Sequence, residues 1–138
     1  MPQPFHLAIP VTNLNDANAF YGELLGCEKG RSDTQWIDWN FFGHQLVTHC
    51  VNEMPSPPAY NGVDDHAVPV PHFGVVLKME DWNALAEKAK AANIDFIISP
   101  YVRFKGQPGE QATMFFKDPF GNALEFKAFA DINQLFAS

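Results

Sequence analysis

Two short stretches, Phe5-His6-Leu7-Ala8-Ile9 and Pro71-His72-Phe73-Gly74-Val75, follow one pattern: a histidine, then a small residue two positions on, between bulky apolar neighbours. On a strand, residues two apart share a face, so His6 lies with Ala8 and His72 with Gly74, while Leu7, Ile9, Phe73 and Val75 point the other way. The two stretches read as the opening strands of a repeated unit. Near the end of the chain a lone carboxylate, Glu125, interrupts an apolar run between Leu124 and Phe126, and the residue two before it, Ala123, is again small. Small residues beside each polar group predict open volume around His6, His72 and Glu125. A carboxylate held between Leu124 and Phe126 costs several kcal/mol to bury unless a cation or donor meets it. A metal is one such cation, and Lys127 on the same face is another. Two histidines and a carboxylate are the donors of a divalent metal site with open positions.

The pattern extends outward from each histidine in the same order. After a strand over Phe5–Val11, a helix begins at an Asn13 or Asn15 cap and lines up Leu14, Ala17, Tyr21, Leu24 and Leu25, with Gly26 as its left-handed stop. Strands follow near 27–32, 35–42 and 44–51, the last two joined at Gly43. Residues 52–71 hold five of the eleven prolines and show no periodicity, so they read as a connector. The order then restarts with a strand over His72–Met79. A helix opening at Asp81 has Trp82, Leu85, Ala86 and Ala89 on one face and Asn93 at its left-handed end. Strands are expected over 95–104, 111–117 and 122–129, and Asp118-Pro119-Phe120-Gly121-Asn122 is a turn between the last two. The tail from Asp131 suits one more helical turn. The fold class is α+β: a single domain over 1–138 made of tandem βαβββ modules, 1–51 and 72–138. Neither module closes a core alone, and the pair should enclose a shared concave face that suits a small molecule.

Composition narrows the function. The 138 residues are 46% hydrophobic and 18% charged, which suits one folded domain rather than a disordered chain. A formal charge of −7, from 16 acidic and 9 basic residues, disfavours nucleic acid as a partner. No apolar run reaches the roughly 20 residues of a membrane helix, and no secretory signal is visible, so a cytoplasmic protein is expected. Cys27 and Cys50 lack metal or redox spacing and read as reduced structural thiols.

Further candidates surround the three donors. A fourth ligand is expected on the strand of the first module equivalent to that of Glu125, where Gln45, Val47 and His49 are open alternatives. His49 is also a candidate acid or base. The segment Tyr101–Gln111 joins a tyrosine, Arg103 and Lys105 to a Pro-Gly loop, a set suited to covering the cavity mouth and holding an anionic substrate. Trp36, Trp39, Phe41 and Phe42 suit a core or a dimer contact. Asp64, Asp65 and His66 lie in the connector and read as solvated.

With both modules, the His6/His72/Glu125 set and the ending Asp118-Pro119-Phe120-Gly121-Asn122-Ala123-Leu124-Glu125-Phe126 in view, the chain resembles the vicinal oxygen chelate superfamily. That group includes glyoxalase I, extradiol dioxygenases and the fosfomycin- and bleomycin-resistance proteins. Within it the chain is most similar to small proteins described as extradiol-type dioxygenases. The resemblance implies an incomplete eight-stranded barrel around a metal cleft, often in a homodimer, with His6, His72 and Glu125 at the ligand positions and Gln45 a candidate for the fourth. It implies an Fe(II) enzyme acting on a catecholate-like substrate; the residues themselves offer His49 or Tyr101 to move a proton and Arg103 and Lys105 to bind substrate. A glyoxalase-type lyase or isomerase using Ni, Zn, Co or Mn is the first alternative, and a non-catalytic binding or resistance protein is the second. The isomerase reading is weakened because none of Gln45, Val47 and His49 is a carboxylate that would serve as base.

Overall fold

The computed structural model describes residues 3–63 and 66–136, so Asp64 and Asp65 lie outside the described residues. The chain divides into two compact units, Met1–Pro57 with Asp118–Asn122, and Pro58–Lys117 with Ala123–Ser138. Each is built around one mixed four-stranded sheet.

In the first unit, strand β1 (His6–Val11) leads to a helix that starts as α1 (Leu14–Ala17) and widens into a π-helical segment, Asn18–Leu24. Asn13 is the cap: its side chain accepts from the Asp16 amide at 3.0 Å. Gly26 supplies the left-handed stop at φ 73°. In the wider turn Leu25 N–H donates to Phe20 C=O and Cys27 N–H to Tyr21 C=O, and adjacent Phe20 and Tyr21 are both buried. Strands β2 (Glu28–Ser32), β3 (Trp36–Phe41) and β4 (His44–Cys50) complete the sheet in the order β1-β4-β3-β2, with β1 parallel to β4. One face carries buried Ile37, Trp39, Phe41, Leu46 and Thr48, and the Tyr21 and Trp39 rings lie 6.3 Å apart beneath the helix. The other face carries His6 and Ala8 beside Gln45, Val47 and His49, then Asp38 and Asn40. Of the aromatic group, Trp39 and Phe41 are core; Phe42 is exposed at the turn with φ 53°.

In the second unit, β7 (Val76–Leu77), β8 (Phe96–Arg103), β9 (Gln111–Lys117) and β10 (Ala123–Phe129) form a sheet in the order β7-β10-β9-β8. Helix α2 (Met79–Ala91) buries Trp82, Leu85, Ala86 and Ala89, as the spacing predicts, and Asn93 takes φ 57°. The covered sheet face is Leu124, Phe126, Ala128, Met114 and Phe116, and the Trp82 indole donates to Phe126 C=O at 2.9 Å. Two expectations change here. The strand expected over 72–79 is a single bridge, Phe73 to Leu124, followed by the two-residue β7. Gly74 lies so close to the backbone of β10 that an ideal Cβ would stand 1.6 Å from the Glu125 carbonyl oxygen. Its small size therefore serves a backbone approach, not an open volume. The connector also contains structure, a hairpin of β5 (Ala59–Val63) and β6 (His66–Val70). Its alternation is hard to see because β5 is exposed throughout and Pro69 sits inside β6. Val68 of this hairpin packs on Ile98, Phe115 and Ala123, covering part of the sheet face that bears Glu125. The expected terminal helical turn is a 3₁₀ turn, Ile132–Gln134.

The Asp118–Asn122 turn belongs to the first unit and is fixed there by side chains. Asp118 Oδ1 accepts from the amides of Phe120 and Asn122, both at 2.9 Å, and Oδ2 accepts from Tyr21 O–H at 2.6 Å. Asn122 Nδ2 donates to Asp118 Oδ2 and to Pro10 C=O. Burial pushes the Asp118 carboxyl up against the pull of these donors, and burial with the neighbouring Asp118 charge holds the Tyr21 hydroxyl well above the usual tyrosine range.

Candidate functional site

Glu125 sits in the middle of β10, flanked by fully buried Leu124 and Phe126, with its own side chain 16% exposed on the opposite face. The buried Thr113 hydroxyl donates to Glu125 Oε2 at 2.6 Å, which leaves Oε1 facing His72 Nε2 at 3.5 Å. His72 Nδ1 stands 2.7 Å from Pro69 C=O. A carbonyl only accepts, so the Nδ1 proton is fixed there, and in the neutral ring Nε2 is a bare lone pair. The edge of Phe115 supports the ring, with centroids 4.7 Å apart. With the His72 ring neutral, two acceptors face each other across 3.5 Å, longer than the about 2.7–2.9 Å of a charge-assisted hydrogen bond. Two donors each about 2.1 Å from one ion at a tetrahedral angle stand about 3.4 Å apart, so the spacing fits a shared cation. Both groups line a cleft of about 270 Å³ together with Gly74, Val76 and Lys127.

In the first unit, His6 pairs in register with Gln45, and His6 Nδ1 lies 2.7 Å from Gln45 Oε1. With the amide oxygen accepting, the proton again sits on Nδ1 and Nε2 is bare. Each histidine thus has an oxygen acceptor at Nδ1, the arrangement by which metal-ligating histidines are oriented.

Strand register sets the correspondence between the two sheets. Ala8 pairs with Val47 in the first unit, and Gly74 approaches Glu125 in the second, one residue beyond the Phe73–Leu124 bridge. Since His6–Ala8 corresponds to His72–Gly74, Val47 corresponds to Glu125, and Gln45 to Ala123. Val47 is 6% exposed and apolar, and the Gln45 oxygen is already held by His6. His49 lies two residues beyond Val47, exposed, between Pro10 and Trp36.

The remaining candidates are spread along the second sheet. Tyr101 pairs with Thr113 on the Glu125 face and lines a separate cleft of about 450 Å³ with His66, Ile98 and Ser99. Arg103 pairs with Gln111, which in turn pairs with Phe129. That is four residues past Glu125, about 13 Å along the strand. The Arg103 guanidinium lies over the Phe104 ring at 5.0 Å. Lys105 is exposed in the following turn, which Glu110 closes by accepting from the Gly106 amide. Neither cation is gathered with Glu125. Sequence reasoning missed Thr113 and the Pro69 carbonyl. A hydroxyl alone in the apolar run of β9 was the signal for the first, and a backbone acceptor leaves none. Among the described residues no group of three or more His, Cys, Asp or Glu side chains is assembled as a metal site. No helix among them is long and apolar enough to cross a membrane.

The model of the glyoxalase/bleomycin resistance protein/dioxygenase superfamily matches residues 3–126. A glyoxalase/bleomycin resistance protein/dioxygenase from Alicyclobacillus acidocaldarius is 33% identical, with 97% of this chain and 96% of that one covered and a TM-score of 0.75. The fosfomycin resistance protein FosX of Listeria monocytogenes, 17% identical with 97% and 98% covered, has a TM-score of 0.71. A glyoxalase/dioxygenase from Nostoc punctiforme, 15% identical with 94% and 92% covered, has a TM-score of 0.70. No curated protein matches the chain.

Proposed function

The chain belongs to the glyoxalase/bleomycin resistance protein/dioxygenase superfamily, and on that premise we propose a divalent-metal-dependent enzyme acting on a small molecule, with His6, His72 and Glu125 as the protein ligands. The observation that carries the reading is that Pro69 C=O and Gln45 Oε1 each lie 2.7 Å from Nδ1, of His72 and of His6, so that in each neutral ring Nε2 is the donor left for a metal. Thr113 holds one Glu125 oxygen and aims the other at His72. When bound, the ion supplies Lewis-acid charge to substrate oxygens and, as Fe(II), electrons for chemistry with O₂. Val47 at the position equivalent to Glu125 supports a three-ligand set with positions left for substrate. This favours an Fe(II) extradiol-type dioxygenase of catecholate-like substrates over a glyoxalase-type isomerase, for which Val47 offers no base. Cys27 and Cys50 are not disulfide-bonded, which suits a reducing, cytoplasmic setting. The exposed apolar Val102 on the edge strand β8 and Phe104 just beyond its end suit a homodimer contact, which light scattering checks.

The test is anaerobic titration with Fe(II), read by elemental analysis after removal of free ion. About one ion per chain is expected in the wild type and none in Glu125→Ala, with an unchanged circular dichroism spectrum. Stoichiometric metal retained by Glu125→Ala overturns the assignment. Oxygen consumption with a panel of catechols then tests the dioxygenase reading, and a preference for Ni²⁺ or Zn²⁺ turns it toward isomerisation.

A further inference from the structure

Lys127 lies two residues beyond Glu125 on the same face of β10, about 7 Å along the strand, and lines the same cleft as His72 and Glu125. Its side chain is half-buried, and among the described residues no carboxylate stands within the 4.0 Å of an ion pair with its ammonium. Glu125, two positions away, engages Thr113 and faces His72 instead. The Thr113 hydroxyl, from the residue directly opposite Lys127, is directed to Glu125 as well. A half-buried lysine in this cleft with no carboxylate beside its ammonium leaves that charge to be met by an anion that a ligand brings. The charge count points the same way. A divalent ion with two neutral histidines and one carboxylate carries a net charge of about +1, and Lys127 raises the cleft to about +2.

We propose that Lys127 is the substrate's anion-binding residue, and that the substrate carries an oxyanion of the carboxylate or phosphate type in addition to the oxygens that meet the metal. The inference rests on the metal reading given above and adds the substrate class. It also moves substrate recognition from Arg103 and Lys105, at the far end of the sheet, to the cleft itself. An ammonium contacting an oxyanion at this depth makes a charge-assisted hydrogen bond, whose loss weakens binding by about 10- to 100-fold.

Inorganic phosphate serves as the probe, titrated calorimetrically into wild type, Lys127→Met and Lys127→Arg, each metal-free and loaded with Co²⁺, with cobalt content measured on every sample. The expected result is the same cobalt content in all three, phosphate affinity at least 10-fold weaker in Lys127→Met, and recovery to within about threefold in Lys127→Arg. Equal phosphate affinity in wild type and Lys127→Met overturns the proposal, as does a cobalt-loaded wild type that binds no phosphate. A wild type that takes up no cobalt fails the metal reading instead. The phosphate comparison on the metal-free proteins then decides the role of Lys127 separately. Matching thermal unfolding curves for the three proteins exclude misfolding as the cause of lost affinity.

Discussion

The two modules share a strand order, β1-β4-β3-β2 and β7-β10-β9-β8, and differ at the few positions that matter for chemistry. Where the second has Glu125, the first has Val47; where the second has Ala123, the first has Gln45. Each orients its histidine by its own device, a backbone carbonyl for His72 and a side-chain amide for His6. Duplication thus supplies two equivalent frames, and the frame constrains side-chain size only where backbones meet. Ala8 carries a methyl at the position where Gly74 has none, because Gly74 lies against the Glu125 backbone. Gly74→Ala is therefore the substitution with the largest expected effect. Backbone must move on one side or the other, at a cost of about 3 kcal/mol in urea unfolding, and displacement of Glu125 weakens metal binding with it. A loss under about 1 kcal/mol would show that the second frame has the room of the first.

The helices are anchored differently as well. Trp82 donates to a backbone carbonyl, a contact that does not titrate, whereas Tyr21 donates to the buried Asp118 carboxylate. Tyr21→Phe removes one of the two donors to Asp118 Oδ2 and is expected to cost about 1–2 kcal/mol at neutral pH. The alkaline limb carries the sharper signature. The folded protein holds the Tyr21 proton above pH 10.0, while the unfolded chain releases it there. The folded state then binds more protons, so this contribution is level below about pH 10 and stability falls as pH rises beyond it, by up to about 1.4 kcal/mol per pH unit. Unfolding free energies of wild type and Tyr21→Phe should converge through that range. Parallel curves would mean that Tyr21 ionises in the folded state as it does in the unfolded one.

The parts of the fold legible in the sequence are those where one local signal decides the element. Asn13 and Gly26 mark the first helix, the Trp82/Leu85/Ala86/Ala89 stripe marks the second, and Asp118–Asn122 is a turn on residue chemistry alone. The misjudged parts depend on partners distant in sequence. The β5–β6 hairpin escapes because its one well-buried apolar anchor, Val68, meets Ile98 and Phe115 far along the chain. The π-helical segment escapes because an apolar period alone does not distinguish an α-turn from a wider one. Gly74 shows that a small residue beside a polar one has two meanings, open volume or close backbone, which periodicity does not separate. For the proposed metal ligands, residue types alone nominate His6, His72 and Glu125. The orientation of those donors comes from Thr113, Gln45 and Pro69 C=O, and it becomes visible only once β4, β9 and β10 are in register.

The smallest of these effects bears most directly on the difference between the modules. If Gln45 exists to hold His6 in its tautomer, Gln45→Ala leaves the His6 ring free to turn and to carry its proton on either nitrogen, without removing any donor to the metal. Residues that orient a ligating histidine typically cost 10- to 100-fold in metal affinity. Gln45 is exposed, so the low end, about 10-fold, is expected, with unfolding stability changed by less than about 0.5 kcal/mol. Gln45→Glu keeps an oxygen acceptor beside Nδ1 and should match or exceed wild-type affinity. The two variants separate the roles open to Gln45. An orienting residue gives a modest loss with alanine and full retention with glutamate, at unchanged stoichiometry. A direct ligand would give a far larger loss with alanine, comparable to that of Glu125→Ala. That outcome would make the first module a contributor of two donors, and the contrast between Val47 and Glu125 would cease to describe how the site is divided.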